Sequence, residues 1–208
     1  MRLGLCAAAL AGAAAPMSNA NAVGVTFNAP ISVPNTFAGV YINLLSGASG
    51  ITPASVPGWD FGPWGNGGTL TFFWNGTPAS SSGGVASTTT GPYLDLAAGT
   101  TISSASTFSA TAATAQAAAF QSTGTHTLGF RFFNESTSAI NYGYLSMTTT
   151  GPLGFPATVN GWSFENSGAA ITVAAVPEAS TTAMFAMGAL ALGAMNLRRL
   201  RRQRKLAR

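Results

Sequence analysis

Residues 125–133 alternate without a break. Leu128, Phe130 and Phe132 fall on one side, and Gly129, Arg131 and Phe133 on the other. A period of two belongs to a strand; a helix would scatter these aromatics around its axis. The same alternation returns in residues 141–149, where Tyr142, Tyr144 and Ser146 oppose Gly143, Leu145 and Met147. It recurs in 159–165 with Trp162 and Phe164, and in 170–174 with Ile171 and Val173. Asn134-Glu135-Ser136 turns the chain between the first two runs. These four runs predict an antiparallel meander.

Earlier in the chain the extended runs are shorter and bounded by Gly, Pro and Asn, which spaces many strands closely. Residues 23–27, 39–45, 69–74, 93–96, 100–104 and 107–112 are the predicted strands. In 69–74 both faces carry aromatics, so this strand is either central and covered on both sides or has a sticky outer face. Residues 57–68, which contain WDFGPWGNGG, read as a loop stopped by glycines and prolines, and the Ser/Thr/Gly stretch 79–90 as a flexible surface loop. The alanine-rich stretch 112–119 lacks an amphipathic period and reads as loop or a single turn. The expected fold of residues 23–175 is all-β: an antiparallel, jelly-roll-like β-sandwich with no helix longer than two turns.

The two ends have another character. Residues 1–22 read as a secretory signal peptide: Arg2, an apolar run from Leu3 to Ala15, then Pro16 and the small-x-small site Ala20-Asn21-Ala22, with the cut after Ala22. Cys6 lies inside that run and is the only cysteine, so the mature chain has no disulfide, thiol nucleophile or thiolate metal site. Residues 180–197 are 18 residues without a charge, and a helix of that length reaches about 27 Å, one bilayer core. Arg198, Arg199, Arg201, Arg202, Arg204, Lys205 and Arg208 follow, a cytoplasmic stop cluster that leaves the preceding domain outside.

With these ends set aside, the apparent basicity of the chain disappears. Between residues 23 and 175 Arg131 is the only Lys or Arg, against Asp60, Asp95, Glu135 and Glu165, a net charge of −3. Nucleic acid is excluded as a partner, because phosphate neutralisation needs clustered cations. Catalysis finds little material. His126 is the one histidine, without a Gly-x-Ser-x-Gly elbow, and reads as a strand-end residue. Of the carboxylates only Asp60, between Trp59 and Phe61, has the aromatic surroundings of a sugar site, and a loop-capping aspartate is the commoner role for such a residue. No Asp-x-Asp spacing supports a cation site from Asp60 and Asp95. No catalytic, cofactor-binding or metal-binding residues are therefore assigned, and Arg131 is expected not to bind a ligand but to pair with a carboxylate or lie along aromatic surface beside Phe133. Asn75-Gly76-Thr77 and Asn134-Glu135-Ser136 match the N-glycosylation sequon.

At the C-terminus Val176, Pro177, Glu178 and Ala179 precede the apolar span and the basic tail. This order resembles the PEP-CTERM sorting signal of bacterial surface proteins, whose motif is Pro-Glu-Pro; here Ala179 stands where the third motif residue is proline. The order Gly-Phe-Arg-Phe, Tyr-Gly-Tyr, Gly-Trp-Ser-Phe-Glu-Asn before the motif also resembles the C-terminal half of many PEP-CTERM ectodomains. The resemblance implies motif residues 176–181, membrane helix 180–197 and basic tail 198–208. It also implies a partner, the membrane protease-transpeptidase exosortase. The precursor would sit in the inner membrane of a Gram-negative bacterium before release to the cell surface or matrix, among extracellular polysaccharide. The expected function is that of a non-enzymatic surface or exopolysaccharide-associated protein. Two alternatives stand beside it: a carbohydrate-active enzyme or carbohydrate-binding module using Asp60 and aromatic loop residues, and an uncleaved tail-anchored membrane protein.

Intact-mass analysis of the protein from its own host tests both ends. The mature species is expected to begin at Val23 and end between Val176 and Ala179, with Arg208 retained once the exosortase is removed. A species retaining Arg208 in both strains would leave only the tail anchor. Ala179→Pro should speed the cut or leave it unchanged.

Overall fold

The computed structural model describes residues 24–174, apart from Thr77 and Ala79. The expected cut at Ala20 and Ala22, the motif Val176, Pro177, Glu178 and Ala179, the span 180–197 and the basic cluster 198–208 lie outside the described residues. Among the described residues no helix is long and apolar enough to cross a membrane.

The described chain is all-β and every strand pairing is antiparallel. Its strands are β1 (Gly24–Phe27), β2 (Ile31–Val33), β3 (Tyr41–Ile42), β4 (Ser49–Gly50), β5 (Phe61–Asn66), β6 (Thr69–Trp74) and β7 (Gly83–Val85). After these come β8 (Thr101–Ile102), β9 (Phe108–Ser109), β10 (Gly124–Asn134), β11 (Ala139–Thr149), β12 (Ala157–Glu165) and β13 (Ile171–Thr172). A seven-stranded sheet runs β1-β12-β11-β10-β7-β9, with β2 also on β12; a four-stranded sheet runs β4-β3-β5-β6, and β13 pairs with β8.

The alternation read from residues 125–165 is realised as the meander β10-β11-β12, in which Leu128 stands opposite Leu145 and Leu145 opposite Trp162. Gly143 stands opposite Phe130. A Cβ there would collide with the Phe130 ring and with the Ser163 carbonyl, so glycine makes the space that the ring fills. The fourth predicted run departs from the meander. β13 pairs with β8, and β12 takes β1 and β2 as its further neighbours.

Two expected loops are strands. β5 forms in spite of Pro63, which stands opposite Phe72 in the ladder to β6. Its carbonyl and the Gly65 N–H serve residues 36–40 on the other side, where Val40 N–H donates to Pro63 O and Gly65 N–H to Thr36 O. The missing proline N–H falls on that side, beyond the end of β3, where the pairing with residues 36–40 is irregular. β7 is buried at all three residues and pairs with β10 and β9. Composition hid it because Gly83 and Gly84 are where neighbours press closest: a Cβ on Gly83 would meet Ser109 O at 2.8 Å, and one on Gly84 the Tyr93 ring at 2.8 Å. The alanine-rich stretch becomes a seven-residue 3-10 helix, Thr114–Phe120, slightly over two turns at about three residues per turn. It is anchored by buried Ala117 and Phe120.

The main core lies between the two larger sheets. Phe61, Phe72 and Trp74 of the four-stranded sheet and Leu128, Phe130, Phe132, Leu145 and Phe164 of the seven-stranded sheet belong to one buried cluster. Each such side chain contributes about 1.5–3 kcal/mol by burial. A smaller cluster of Val85, Ile102, Phe108, Tyr142 and Val173 covers part of the other face of the seven-stranded sheet. Gly129 admits it, since a Cβ there would meet Leu96, Val85 and Ile102 at 2.6–2.9 Å.

One directional bond crosses the main core: Trp162 Nε1 donates to Leu44 O at 2.9 Å. Trp162→Phe keeps most of the ring but leaves that buried carbonyl without its donor. It is expected to lower unfolding free energy by about 1–3 kcal/mol, read as a shift in the urea midpoint with an unchanged slope.

Candidate functional site

In extended chain, neighbouring side chains leave on opposite sides, and at Trp59-Asp60 this sends the indole outward and the carboxylate inward. The alternation breaks at the next residue, since Asp60 and Phe61 are both buried; from Phe61 on it resumes, with Ile42 and Phe61 in the core and Tyr41, Gly62, Trp64 and Phe73 on the outer face of the four-stranded sheet. There they line a groove of about 340 Å³ together with Phe37, Ala38 and Pro53. Tyr41 and Trp59 meet edge to face at 4.8 Å, Trp59 and Phe73 at 5.7 Å, and Phe37 and Trp64 edge to face at 4.7 Å. Gly62 leaves the floor between these rings without a side chain. Phe37 is 80 % exposed and Phe73 46 % exposed, so water reaches apolar rings that a solitary surface would cover.

The outer face of β6 is therefore sticky, the second of the two options its sequence left open. Trp64 adds one polar element: its Nε1–H is buried and has no acceptor among the described residues. Apolar ring faces of this kind suit a ligand that offers a flat C–H face, as a pyranose ring does.

None of the four carboxylates lines this groove. Asp60 is buried, and its Oδ2 accepts the Leu44 N–H at 2.8 Å. Burial pushes its carboxyl up to about 8; the Leu44 hydrogen bond opposes the shift and the Glu135 charge adds to it. Glu165 is buried as well, and its Oε2 accepts from Ser167 N, Ser167 Oγ and Ala169 N at 2.7–2.9 Å, closing the turn after β12. Glu135 lies exposed in the turn after β10. Asn134 is 2 % exposed and its Oδ1 accepts from Ser136 N, so that sequon is shut in the folded domain.

Asp95 and His126 come together in a way that spacing alone could not reveal. Asp95 Oδ2 lies 2.7 Å from His126 Nδ1, and Asp95 Oδ1 accepts the Thr127 N–H at 2.8 Å. The Ser122 hydroxyl is 3.5 Å from His126 Nε2, which gives three residue types of a nucleophilic triad. The Ser122 carbonyl oxygen is nearer, at 3.2 Å, and the hydroxyl is also within 3.4 Å of Ala119 O. With both ring nitrogens engaged, this group clamps the start of β10 to the segment before it. Among the described residues no cluster of three or more His, Cys, Asp or Glu has metal-holding geometry.

Arg131 corrects the sequence expectation in part. It lies against an aromatic ring, but the ring is Phe108, 4.7 Å from its guanidinium carbon, not Phe133. It makes no ion pair among the described residues, where the single such contact is His126 with Asp95.

No protein-family model, curated protein or solved structure matches the chain.

The raised Asp60 carboxyl gives a pH prediction. Its folded value, about 8, lies above the reference 3.8, so the folded state holds a proton that the unfolded chain releases. The stabilisation is complete below about pH 3.8 and is lost as pH rises towards about 8. Thermal melts between pH 5 and 8 should fall in Tm for the wild type, with a shallower dependence in Asp60→Asn. Equal slopes would contradict the neutral buried carboxyl.

Proposed function

We propose that this chain is a non-enzymatic, exported cell-surface or matrix protein of the PEP-CTERM type, whose outer domain associates with extracellular polysaccharide through its aromatic groove. In this reading the two larger sheets form a jelly-roll-like sandwich outside the membrane. The span 180–197 and the basic cluster hold the precursor in the inner membrane, and exosortase cuts near Val176, Pro177, Glu178 and Ala179. Sorting rests on the resemblance of the C-terminal segment; the polysaccharide association rests on the groove.

The observation that carries the binding reading is the set of rings lining the groove, half-buried Tyr41, Trp59 and Trp64 with exposed Phe73, and no carboxylate among them. A glycosidase needs two carboxyl groups astride the scissile bond. Asp60, the candidate that the sequence offered, is turned into the core against Leu44. Binding without cleavage is thus better supported than hydrolysis.

Electrophoresis in native gels containing the host exopolysaccharide tests this. The wild type should be retarded, with no new reducing ends formed. Trp59→Ala and Phe73→Ala should each weaken retention about five-fold, the equivalent of about 1 kcal/mol of ring contact. Unchanged mobility in both variants would remove the groove from the account.

A further inference from the structure

A second groove, of about 420 Å³, opens beside Arg131 and is lined by Phe108, Ala110, Thr111, Ser82 and Thr89. Arg131 is a guanidinium with five N–H donors. It donates no hydrogen bond and meets no carboxylate among the described residues, and its Nε is buried without a partner. A half-buried cation left in this state is costly, and the Phe108 ring offsets only part of that cost.

The local sequence holds it there. Arg131 stands opposite Gly83 in β7, so no side chain on the neighbouring strand blocks its reach to Phe108 in β9. The groove wall is fixed in turn by the Tyr93 hydroxyl, which donates to Thr111 O at 2.9 Å. None of the four carboxylates of the domain is among the lining residues.

We propose that this groove binds the carboxylate of a uronic acid residue within the polysaccharide. The forked guanidinium matches a planar, two-oxygen anion. One cation in a domain of net negative charge suits a single charge and disfavours a multiply charged group. The hydroxyl-bearing Ser82, Thr89 and Thr111 suit the sugar hydroxyls around such a carboxylate. The volume falls within the range of about 300–1,000 Å³ for small-ligand sites. Ala110 and Thr111 line this groove while Ala112 lines the aromatic one, so the two openings flank one three-residue segment. A polysaccharide chain crossing that segment would place neutral rings on the aromatics and an acidic residue at Arg131. The choice of a sugar as ligand rests on the proposed polysaccharide association; the anion site itself rests on Arg131.

Titration of the full-length protein with D-glucuronate, D-glucose and inorganic phosphate, followed by isothermal calorimetry, tests the inference. Glucuronate should bind at least ten-fold more tightly than glucose. Arg131→Met, which keeps an apolar stem over Phe108, should bring glucuronate down to the level of glucose with the thermal melt retained. If that variant does not fold, Thr89→Phe, at an exposed rim position, should obstruct glucuronate by a similar factor. Trp59→Ala should leave glucuronate binding unchanged even where it weakens retention by polysaccharide, which separates a failure of this site from a failure of the aromatic groove. Glucuronate no tighter than glucose, phosphate binding as tightly as glucuronate, or undiminished glucuronate binding in folded Arg131→Met would each overturn the proposal.

Discussion

Leu44 is the hinge pin of the domain. It lies past the end of β3, so its peptide groups have no ladder to join, and both are buried where water cannot serve them. The Asp60 carboxyl takes its N–H and the Trp162 indole supplies its C=O. One of these side chains comes from the entry to β5 in the small sheet, the other from β12 in the large one. Burial of rings holds the sheets together without preferring one sideways placement over another. The Asp60 bond holds Leu44 within the small sheet, and the directional bond from Trp162, which crosses the core, selects a register. Asp60 and Phe61 both turn inward at this point, while Trp59 just before them lines the groove.

The second organising device is the pairing of glycines with rings. Gly143 accepts Phe130 from across the ladder, Gly84 accepts Tyr93, and Gly129 admits the aliphatic cover of the smaller cluster. Each glycine gives up intrinsic strand preference and receives a close-packed neighbour in return. This explains how a chain so rich in Gly, Ser and Thr builds a continuous core.

The long alternating runs were legible because a meander is a local structure: the residues that pair are near in sequence, and their period announces the buried face. Residues 69–74 were legible for the same reason. β5 and β7 were not, because their glycines and proline read as loop chemistry until the neighbours that need those vacancies are present. β13 showed its strand character but not its partner, since Thr101–Ile102 lies some seventy positions away and nothing in either segment names the other. The site was half visible. Trp59, Trp64 and Phe73 could be singled out, whereas Tyr41 and Phe37 reach them only through folding. For Asp60 the sequence left a loop cap and a sugar site side by side, because aromatic sequence neighbours do not reveal which way a carboxylate turns. Asp95 with His126, and Arg131 over Phe108, are long-range pairings that no spacing rule anticipates.

The position of Arg131 also bears on how such a domain would persist among foreign enzymes. Between residues 24 and 174 there is no lysine, and Arg131 is the one arginine. Its peptide bond lies inside β10, flanked by β11 on one side and β7 on the other. A protease that cuts after basic residues needs an extended stretch of free backbone at that point, and here the backbone is already occupied by two neighbouring strands. For trypsin-like enzymes the folded domain is a substrate with one cleavage point and no access to it, and reagents that seek lysine amines find no target on it.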